Sequence, residues 1–501
     1  MRLKISARKS DLARLQAYTV GEALQKTNPE ISIDYKFKES LGDKNLTDPL
    51  WKIPEKGVFT EDFYGELKRG ETDFVVHSWK DLPTELKSDT VIAATLPRAD
   101  QRDLLLIKKT HFQKLKQSKS LRVFSSSPRR EYNLTHFFKT HLPFDLEQVR
   151  FESVRGNIPT RIRKLLESQE IDGLVVAKAA LDRLLTAPQI EFKDVQVQLR
   201  TFLTDLDWTV LPLSVNPNAA AQGALAVEIM AHREDLKKIL AKINHPQTFI
   251  CAQKERTLLA SFGGGCHQKI GVAVLARPYG EITLLKGLTD QGKILNQRTL
   301  TSNENAPQFS PEALGTLEIE THRTQLSSPQ LDTKYNAFLV ARKEAWPENS
   351  NLNGFVWTAG IKTWQNLAQK GVWVHGCNDG LGEQEDSHIE ILAGQKLNWA
   401  KLSHKDSAHL AFEGYPVVAT YRLEYGPTPS QKNHECFFWH SGSQFLKAVQ
   451  DHPELLYKHH GCGPGNTFKI IRTQLEKLNI FDPKKLRIYL DQEDWRTQCT
   501  R

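Results

Sequence analysis

The sequence predicts an α/β protein built largely on parallel sheets and divided into several domains. Three observations predict it. Short β-branched or alternating runs alternate with helix-periodic runs from residue 1 to about 250, the pattern of strand–helix units. The texture then changes to glycine-punctuated hairpins, and strand–helix units return after residue 334. At roughly 150 residues per domain, 501 residues give about three domains, each large enough to bury its own core.

RLKIS opens the chain as a strand, and Ser10 stands where a helix cap belongs, ahead of Ala13, Ala17, Val20 and Leu24 at helical spacing. ISIDYKF alternates as a strand does, and DFVVH and TVIAATL are short β-branched runs. RVF leads into SSSPRR, with Pro128 suited to a first helical position. IDGLVVA is a strand running into the helix KAALDRLL. From about 250, GVAVLARPYGEITLLKGLTDQGKILNQRTL reads as a small antiparallel sheet with glycine turns. Residues 302–333 are polar and hold three prolines, and an interdomain linker is expected at their C-terminal end. No internal repeat is evident in the sequence.

Composition excludes several classes. No run of about 18 apolar residues exists to span a membrane, and the charged N-terminus lacks the apolar centre of a signal peptide. Six scattered cysteines read as reduced thiols of a cytoplasmic protein rather than a disulfide framework. There is no CxxC pair and no GxxxxGK[ST] loop. The net charge of +8 over the whole chain is too diffuse for a nucleic-acid binder and fits a small anionic ligand. The adjacent His459 and His460 with Cys462 are not a plausible metal set, because neighbouring histidines rarely face one ion. No metal, nucleic-acid or membrane partner is expected, and the working unit is expected to be a monomer.

The chemistry concentrates where strands end and helices begin, turns that present free N–H groups to anions. Four such turns carry basic residues: 6–10 with Arg8 and Ser10; 77–83 with Ser78, Lys80 and Asp81; 125–130 with Ser126, Ser127, Arg129 and Arg130; and 155–163 with Arg155 and Arg161. The planar guanidinium fork donates two parallel bonds to a carboxylate, so the four turns suit a ligand with several carboxylates or phosphates. Taken singly, each also reads as a solvated turn. Asp81 among these cations reads either as a group that stabilises a developing cation or moves a proton, or as a capping or salt-bridging acid. Cys266, after three glycines, reads either as an accessible nucleophile or attachment point or as a small buried residue at a turn.

Taken in order, ARKSDLARLQA, EKGVFTEDF, DFVVHSWKDLPTE, FSSSPRR, SVRGNIPTRIRKL, DGLVVAKAALDRL, AAAQGALAVE and ERTLLASFGGGCHQKIG resemble porphobilinogen deaminase (hydroxymethylbilane synthase) over roughly residues 1–300. HSWKDLP, RGNIPTR and GGC together carry most of the specificity. The resemblance implies two periplasmic-binding-protein-like α/β domains flanking a cleft and a small α+β domain bearing the cysteine. The boundaries expected are 1–97 with 198–221, 98–197, and 222–320. It implies a dipyrromethane cofactor joined to Cys266 by a thioether, and four porphobilinogen units added one at a time with loss of ammonia to give a linear tetrapyrrole. By position, Asp81 matches the family's catalytic aspartate. Ser78, Lys80, Ser126, Ser127, Arg129 and Arg130 match cofactor contacts, and Arg8, Ser10, Lys56, Arg155 and Arg161 match substrate contacts. Four positions depart from the family pattern: Leu41 for an arginine, Glu61 for a lysine, Ala221 for a glycine and Lys269 for a proline.

The last third resembles a different family. FVWTAGIKTWQNLAQKGVWVHGCNDGLGE and CFFWHSGSQFLKAV…HHGCGPGNTFKIIRTQL are similar to uroporphyrinogen-III synthase, with Thr358, Thr363, Trp364, Ser441, Ser443, Gly463, Gly465 and Thr467 carrying the likeness. After a linker at 321–333, residues 334–501 are therefore expected to form a second α/β domain, shorter than a full two-lobed synthase. The rival readings are an inactive C-terminal domain, or a non-catalytic two-lobed anion receptor; a receptor needs neither Asp81 nor a cysteine loop.

Overall fold

A computed structural model of the chain describes residues 1–39, 61–85, 87–264, 268–302, 304–327, 331–348, 352–382, 385–405, 407, 415–429 and 433–500. It is a mixed α/β protein with five sheets.

The first sheet runs Ser32–Lys38, Arg2–Arg8, Phe74–Ser78, Leu225–Met230, Thr90–Ala94. Its first three strands are parallel, and Leu225–Met230 runs antiparallel to both neighbours. The predicted helix is Asp11–Thr27. Its inner face is Ala17, Val20 and Leu24 as expected, but Leu15 and Gln16 are buried where Ala13 is only partly covered. Leu15 is covered by Ala187 and Phe192 of the next lobe, and Gln16 is bonded to Ser78.

The second sheet repeats this plan: Gln148–Glu152, Ser120–Phe124, Gly173–Ala177, Asp103–Lys108, Leu206–Val210. Again three strands are parallel and the fourth antiparallel to both neighbours. The two lobes thus share a strand order that the sequence does not advertise as a repeat. Helix Pro128–His141 begins at Pro128 as predicted. Helix Ile158–Glu167 is capped by the Asn157 side chain, which accepts from Thr160 N–H at 2.9 Å.

The third unit is helix Pro246–Ala260 on an antiparallel meander, Gly271–Arg277, Gly280–Leu288 and Ile294–Thr301. This is the small glycine-turned sheet the sequence predicts.

Two expected boundaries change. Segment 198–221 was assigned to the first lobe, but Leu206–Val210 pairs with Asp103–Lys108 in the second. The strand that returns to the first lobe is Leu225–Met230, assigned above to the third domain. Its six residues are all buried, as a strand filling the central position between Phe74–Ser78 and Thr90–Ala94 must be. The linker at 321–333 is also corrected. Thr321–Gln325 pairs with Val417–Tyr425, and before it Leu314–Thr316 pairs with Cys436–Trp439. The THRTQ run is polar because it is an edge strand, half-exposed on alternate residues.

The last third has two lobes, not one truncated one. One is a six-stranded sheet, ordered Thr321–Gln325, Val417–Tyr425, Trp399–His404, Ala337–Val340, Phe355–Thr358, Gly376–Cys377. The other is an all-parallel sheet of Leu314–Thr316, Cys436–Trp439, His459–Cys462 and Leu486–Ile488. The chain crosses between them twice, near 317–320 and 426–435. The six-stranded lobe packs on the second deaminase-like lobe through a continuous apolar core that includes Phe137, Phe138, Trp346 and Trp364. Val210 N–H donates to the His375 carbonyl at 2.9 Å, joining the edges of the two sheets. No helix among the described residues is long and apolar enough to cross a membrane.

Candidate active site

Three of the four basic turns, those at 77–83, 125–130 and 155–163, come together where the first two lobes join. Strand Phe74–Ser78 ends in the short helical turn Trp79–Asp81. Trp79 is buried and points the turn inward, while Asp81 is exposed. Ser78 Oγ pairs with the Gln16 amide at 2.9 Å, which ties this turn to the first helix. Lys80 Nζ donates to Gln222 Oε1 at 3.1 Å, and Gln222 Nε2 donates to Asp103 Oδ1 at 2.9 Å.

Asp103 is the hub beneath the cleft. It is fully buried and accepts five bonds: from Arg129 Nη2, Arg130 Nε and Asn216 Nδ2 on one oxygen, and from Arg130 Nη2 and Gln222 Nε2 on the other. Burial alone pushes its carboxyl up, but Arg130 and Arg129 outweigh that and hold it well below the usual carboxylate range. Arg129 also donates to Asn216 Oδ1 and the Pro217 carbonyl, and Arg130 to the Val175 carbonyl. Both guanidiniums, expected to face an open cleft, are instead buried and largely committed to protein acceptors.

Two further cations act on Asp81. Burial lowers Lys80, with Asp81 opposing and Arg130 adding to the effect. Burial, together with Arg130 and Arg155, brings Arg161 down to about 10, and Asp81 opposes. Lys80 and Arg161 thus share Asp81 as an opposing carboxylate and Arg130 as a neighbouring cation. Arg161 Nε donates to the Gly156 carbonyl at 2.7 Å. Ser126 Oγ pairs with Ser153 Oγ and the Val154 carbonyl, both at 2.9 Å, stitching the third turn to the fourth. Ser127 and Ser10 occupy helix-cap positions without side-chain cap bonds, and Arg8 is half-buried at its strand's end.

Cys266, Lys56 and Leu41 lie outside the described residues, but the approach to the cysteine is fixed. Arg256, on helix Pro246–Ala260, donates to the carbonyls of Trp79 and Leu82 at 3.1 and 3.2 Å, and to that of Pro83. Gly264 takes a left-handed φ of +64°, and a Cβ there would lie 2.6 Å from Thr84 Oγ1. The residues leading to the thiol are therefore held against the turn that carries Asp81, and only glycine fits there. Of the four departures, Glu61 is paired with Lys87 at 2.8 Å. Lys269 is exposed. Ala221 is buried at φ +64°, a conformation that explains the usual glycine.

Sequence reasoning missed Gln16, Asp103, Gln222 and Arg256. Two of them carried a signal, since Asp103 opens the apolar strand DLLLIK and Gln222 interrupts the small apolar run AAAQGALAV. A buried strand keeps such a residue only when it is fully paired.

A second cleft, of about 390 Å³, separates the two C-terminal lobes. It lies where the parallel strands of both sheets end, the usual ligand position in open α/β sheets. Ser441, Ser443, Gly463 and Thr467 line it from one lobe; Arg323, Arg342, Lys401 and His404 line it from the other. Arg323 Nε is buried without a hydrogen bond among the described residues. The GPGNT turn does precede a helix, Asn466–Lys477, with Gly465 at its cap. Thr358 is instead buried, its hydroxyl donating to the Gly360 carbonyl at 3.1 Å. Trp364 packs on Phe137 and donates to the His141 carbonyl at 2.7 Å, a docking contact rather than a cleft residue. No group of three metal-ligating side chains occurs among the described residues.

Fold and site define a two-lobed α/β protein with basic side chains gathered where the lobes join. Residues 3–238 match the family model "Porphobilinogen deaminase, dipyromethane cofactor binding domain". The chain is 37% identical over 286 residues to a porphobilinogen deaminase of Syntrophomonas wolfei, covering 57% of this chain and 84% of that one. It is 33% identical to a porphobilinogen deaminase of Nostoc sp. (66% and 94% covered) and 32% identical to that of Synechococcus elongatus (68% and 98%). The chain belongs to the porphobilinogen deaminase family. The family's cofactor is dipyrromethane, and Lys80 and Arg161 beside Asp81 fit a group bearing several carboxylates.

Proposed function

We propose that the chain polymerises four porphobilinogen units on a dipyrromethane primer held by Cys266, and that its C-terminal unit closes the linear product to uroporphyrinogen III. The observation that carries the first part is the exposed Asp81 carboxylate beside Lys80 and Arg161, with Lys80 tied through Gln222 to the Asp103 hub. Bound dipyrromethane supplies the pyrrole carbon to which the next unit is joined. Lys80, Arg155 and Arg161, with Arg8, Ser10 and Lys56, hold acetate and propionate carboxylates by charge-assisted bonds. Arg129 and Arg130, committed to Asp103, contribute field and rigidity. Asp81 accepts from pyrrole N–H groups, stabilises the positive charge that develops as ammonia leaves, and takes up the proton released when the new bond forms.

The second part rests on the basic cleft at the carboxyl ends of both C-terminal sheets. Cyclisation of a flexible octacarboxylate needs a site that holds the chain ends together while excluding other closures. We take the protein to act as a cytoplasmic monomer.

The test is the intact mass of the purified protein beside Cys266→Ser, followed by isomer analysis of the product. The reading expects an added mass of two linked pyrroles that vanishes in the variant, and a type III product that turns to type I in Arg342→Ala. A bare polypeptide mass from cells making porphobilinogen refutes the deaminase assignment, and a type I product from the unaltered chain refutes the cyclase.

A further inference from the structure

The C-terminal unit grips the deaminase where its two lobes are joined. Those lobes are linked by two crossovers, residues 95–102 and 211–224. On the first, Arg102 Nη2 donates to the Ser387 carbonyl at 2.8 Å. Beside it, the fully buried Lys178 donates to the His388 carbonyl at 2.6 Å. On the second, Ser214 donates its N–H to Asp379 Oδ2 at 2.8 Å and its hydroxyl to Oδ1. The third domain is held as well. Arg277 makes a bidentate pair with Glu385, both bonds at 2.7 Å. Leu381 is buried with Leu213 of the second crossover and with Ala273, Leu284 and Leu300 of the meander.

Asp379 is shaped for this contact. Its φ of +56° is left-handed, a conformation that aspartate tolerates better than most residues, and it turns the carboxylate out of its own lobe onto Ser214. Burial pushes its carboxyl up and Ser214 opposes. The adjacent Gly380 and Gly382 line the C-terminal cleft, and a Cβ on Gly382 would lie 3.0 Å from Gly465 Cα of the opposite lobe. One short segment therefore walls the second cleft and holds the joint of the first.

We propose that residues 379–382 and 385–388 are a strut through which the C-terminal unit sets the opening between the deaminase lobes, with Asp379 the positioning residue for the second crossover. This rests on the deaminase reading. Each added unit enlarges what the cleft must hold, so a change at the crossovers bears on later additions more than on the first.

The experiment uses full-length protein: unaltered, Asp379→Ala, Asp379→Asn, Ser214→Ala and the double Ala variant. Hydrogen exchange is followed over 211–217. Mass-resolved distributions of protein carrying one to four added units are recorded at limiting porphobilinogen. Asp379→Ala removes the acceptor of both bonds and is expected to raise exchange at 213–216 on the order of ten-fold, whereas Ser214→Ala, which loses the hydroxyl bond and keeps the N–H bond, raises it less. The double variant is expected to be no worse than Asp379→Ala, because that change already removes both bonds. Asp379→Asn, which keeps the left-handed turn and one acceptor oxygen, falls between. Later intermediates redistribute while the first addition holds. Unchanged exchange, fully additive effects, or a uniform loss of all additions tracking lost stability each overturn the strut. If no variant and no unaltered protein adds pyrroles, the deaminase reading fails, and the strut fails with it as a device of that reaction.

Discussion

Asp103→Asn removes one charge and no volume, and the structure says how much should follow. Asp103 is fully buried and accepts five donors, three on one oxygen and two on the other. In asparagine one oxygen becomes an N–H₂ group, so whichever way the amide turns, at least two donors face a donor. Arg129 and Arg130, both buried, lose their counter-charge. Breaking a buried ion pair from one side costs about 3–5 kcal/mol, and at about 2–4 °C per kcal/mol for a domain of this size the midpoint of the second lobe should fall by about 6–20 °C. The pH dependence adds a check. The folded carboxyl lies well below its unfolded value of about 3.9, so its stabilisation is fully present above pH 4 and is lost as pH falls through the folded value. The gap between the two proteins should hold from pH 7 to 5 and begin to close only below about pH 4. Differential scanning calorimetry measures both, and deaminase assays on the folded fraction should fall as well, because Lys80 hangs on the same network through Gln222. A variant that melts within 2 °C of the unaltered protein and retains its rate refutes the hub.

Asp81→Asn should leave the melting curve in place, since the carboxylate is exposed, yet lower the rate of pyrrole addition by about 10²–10⁴ in single-turnover assays. Arg256→Met removes the donors to Trp79, Leu82 and Pro83, so intact mass should show a large fraction of protein without cofactor. Ala221→Gly relieves a left-handed alanine, a strain of about 1–2 kcal/mol, less the greater freedom of glycine in the unfolded chain; the midpoint should rise by about 1–3 °C in calorimetry. Burial holds His375 at about 3 against an ordinary 6.5, so its neutral ring favours folding above pH 6.5, and that contribution is lost as pH falls towards 3. The slope of stability between pH 6 and 4 should include about 1.4 kcal/mol per pH unit from this ring, and His375→Gln should flatten it in urea titrations.

The sequence reveals what is local. The turn at Ser127 and Pro128, the helix after Ser10, the hairpins after 270 and the helix after GPGNT are all decided by a few neighbouring residues, and the structure has them where the pattern puts them. It hides what depends on distant partners. Leu225–Met230 is apolar but for Glu228, and its place in the first sheet depends on partners far away in the chain: it pairs with Phe74–Ser78 and Thr90–Ala94, and Glu228 bonds to His77 and Thr90. THRTQ looks like linker because an edge strand needs its backbone paired and not its side chains buried. Arg129 and Arg130 invite a reading as ligand contacts because their partner, Asp103, stands 26 and 27 residues away in the chain.

The same distinction bears on why the two units share one chain. A flexible tether raises the local concentration of one site around the other, by an amount set by linker length. Here the units are docked: Trp364 is buried among second-lobe aromatics, the edges of two sheets are joined at Val210 and His375, and Ser214 is bonded to Asp379. The connection after Thr301, where the meander ends, could be longer or shorter without moving one cleft relative to the other, because the interface fixes their relation and the linker does not. Lengthening that connection by flexible residues should therefore leave the fraction of type III product unchanged, whereas Trp364→Ala, which opens the interface, should lower it. If the lengthened linker alone lowers the fraction, the tether governs transfer and docking does not.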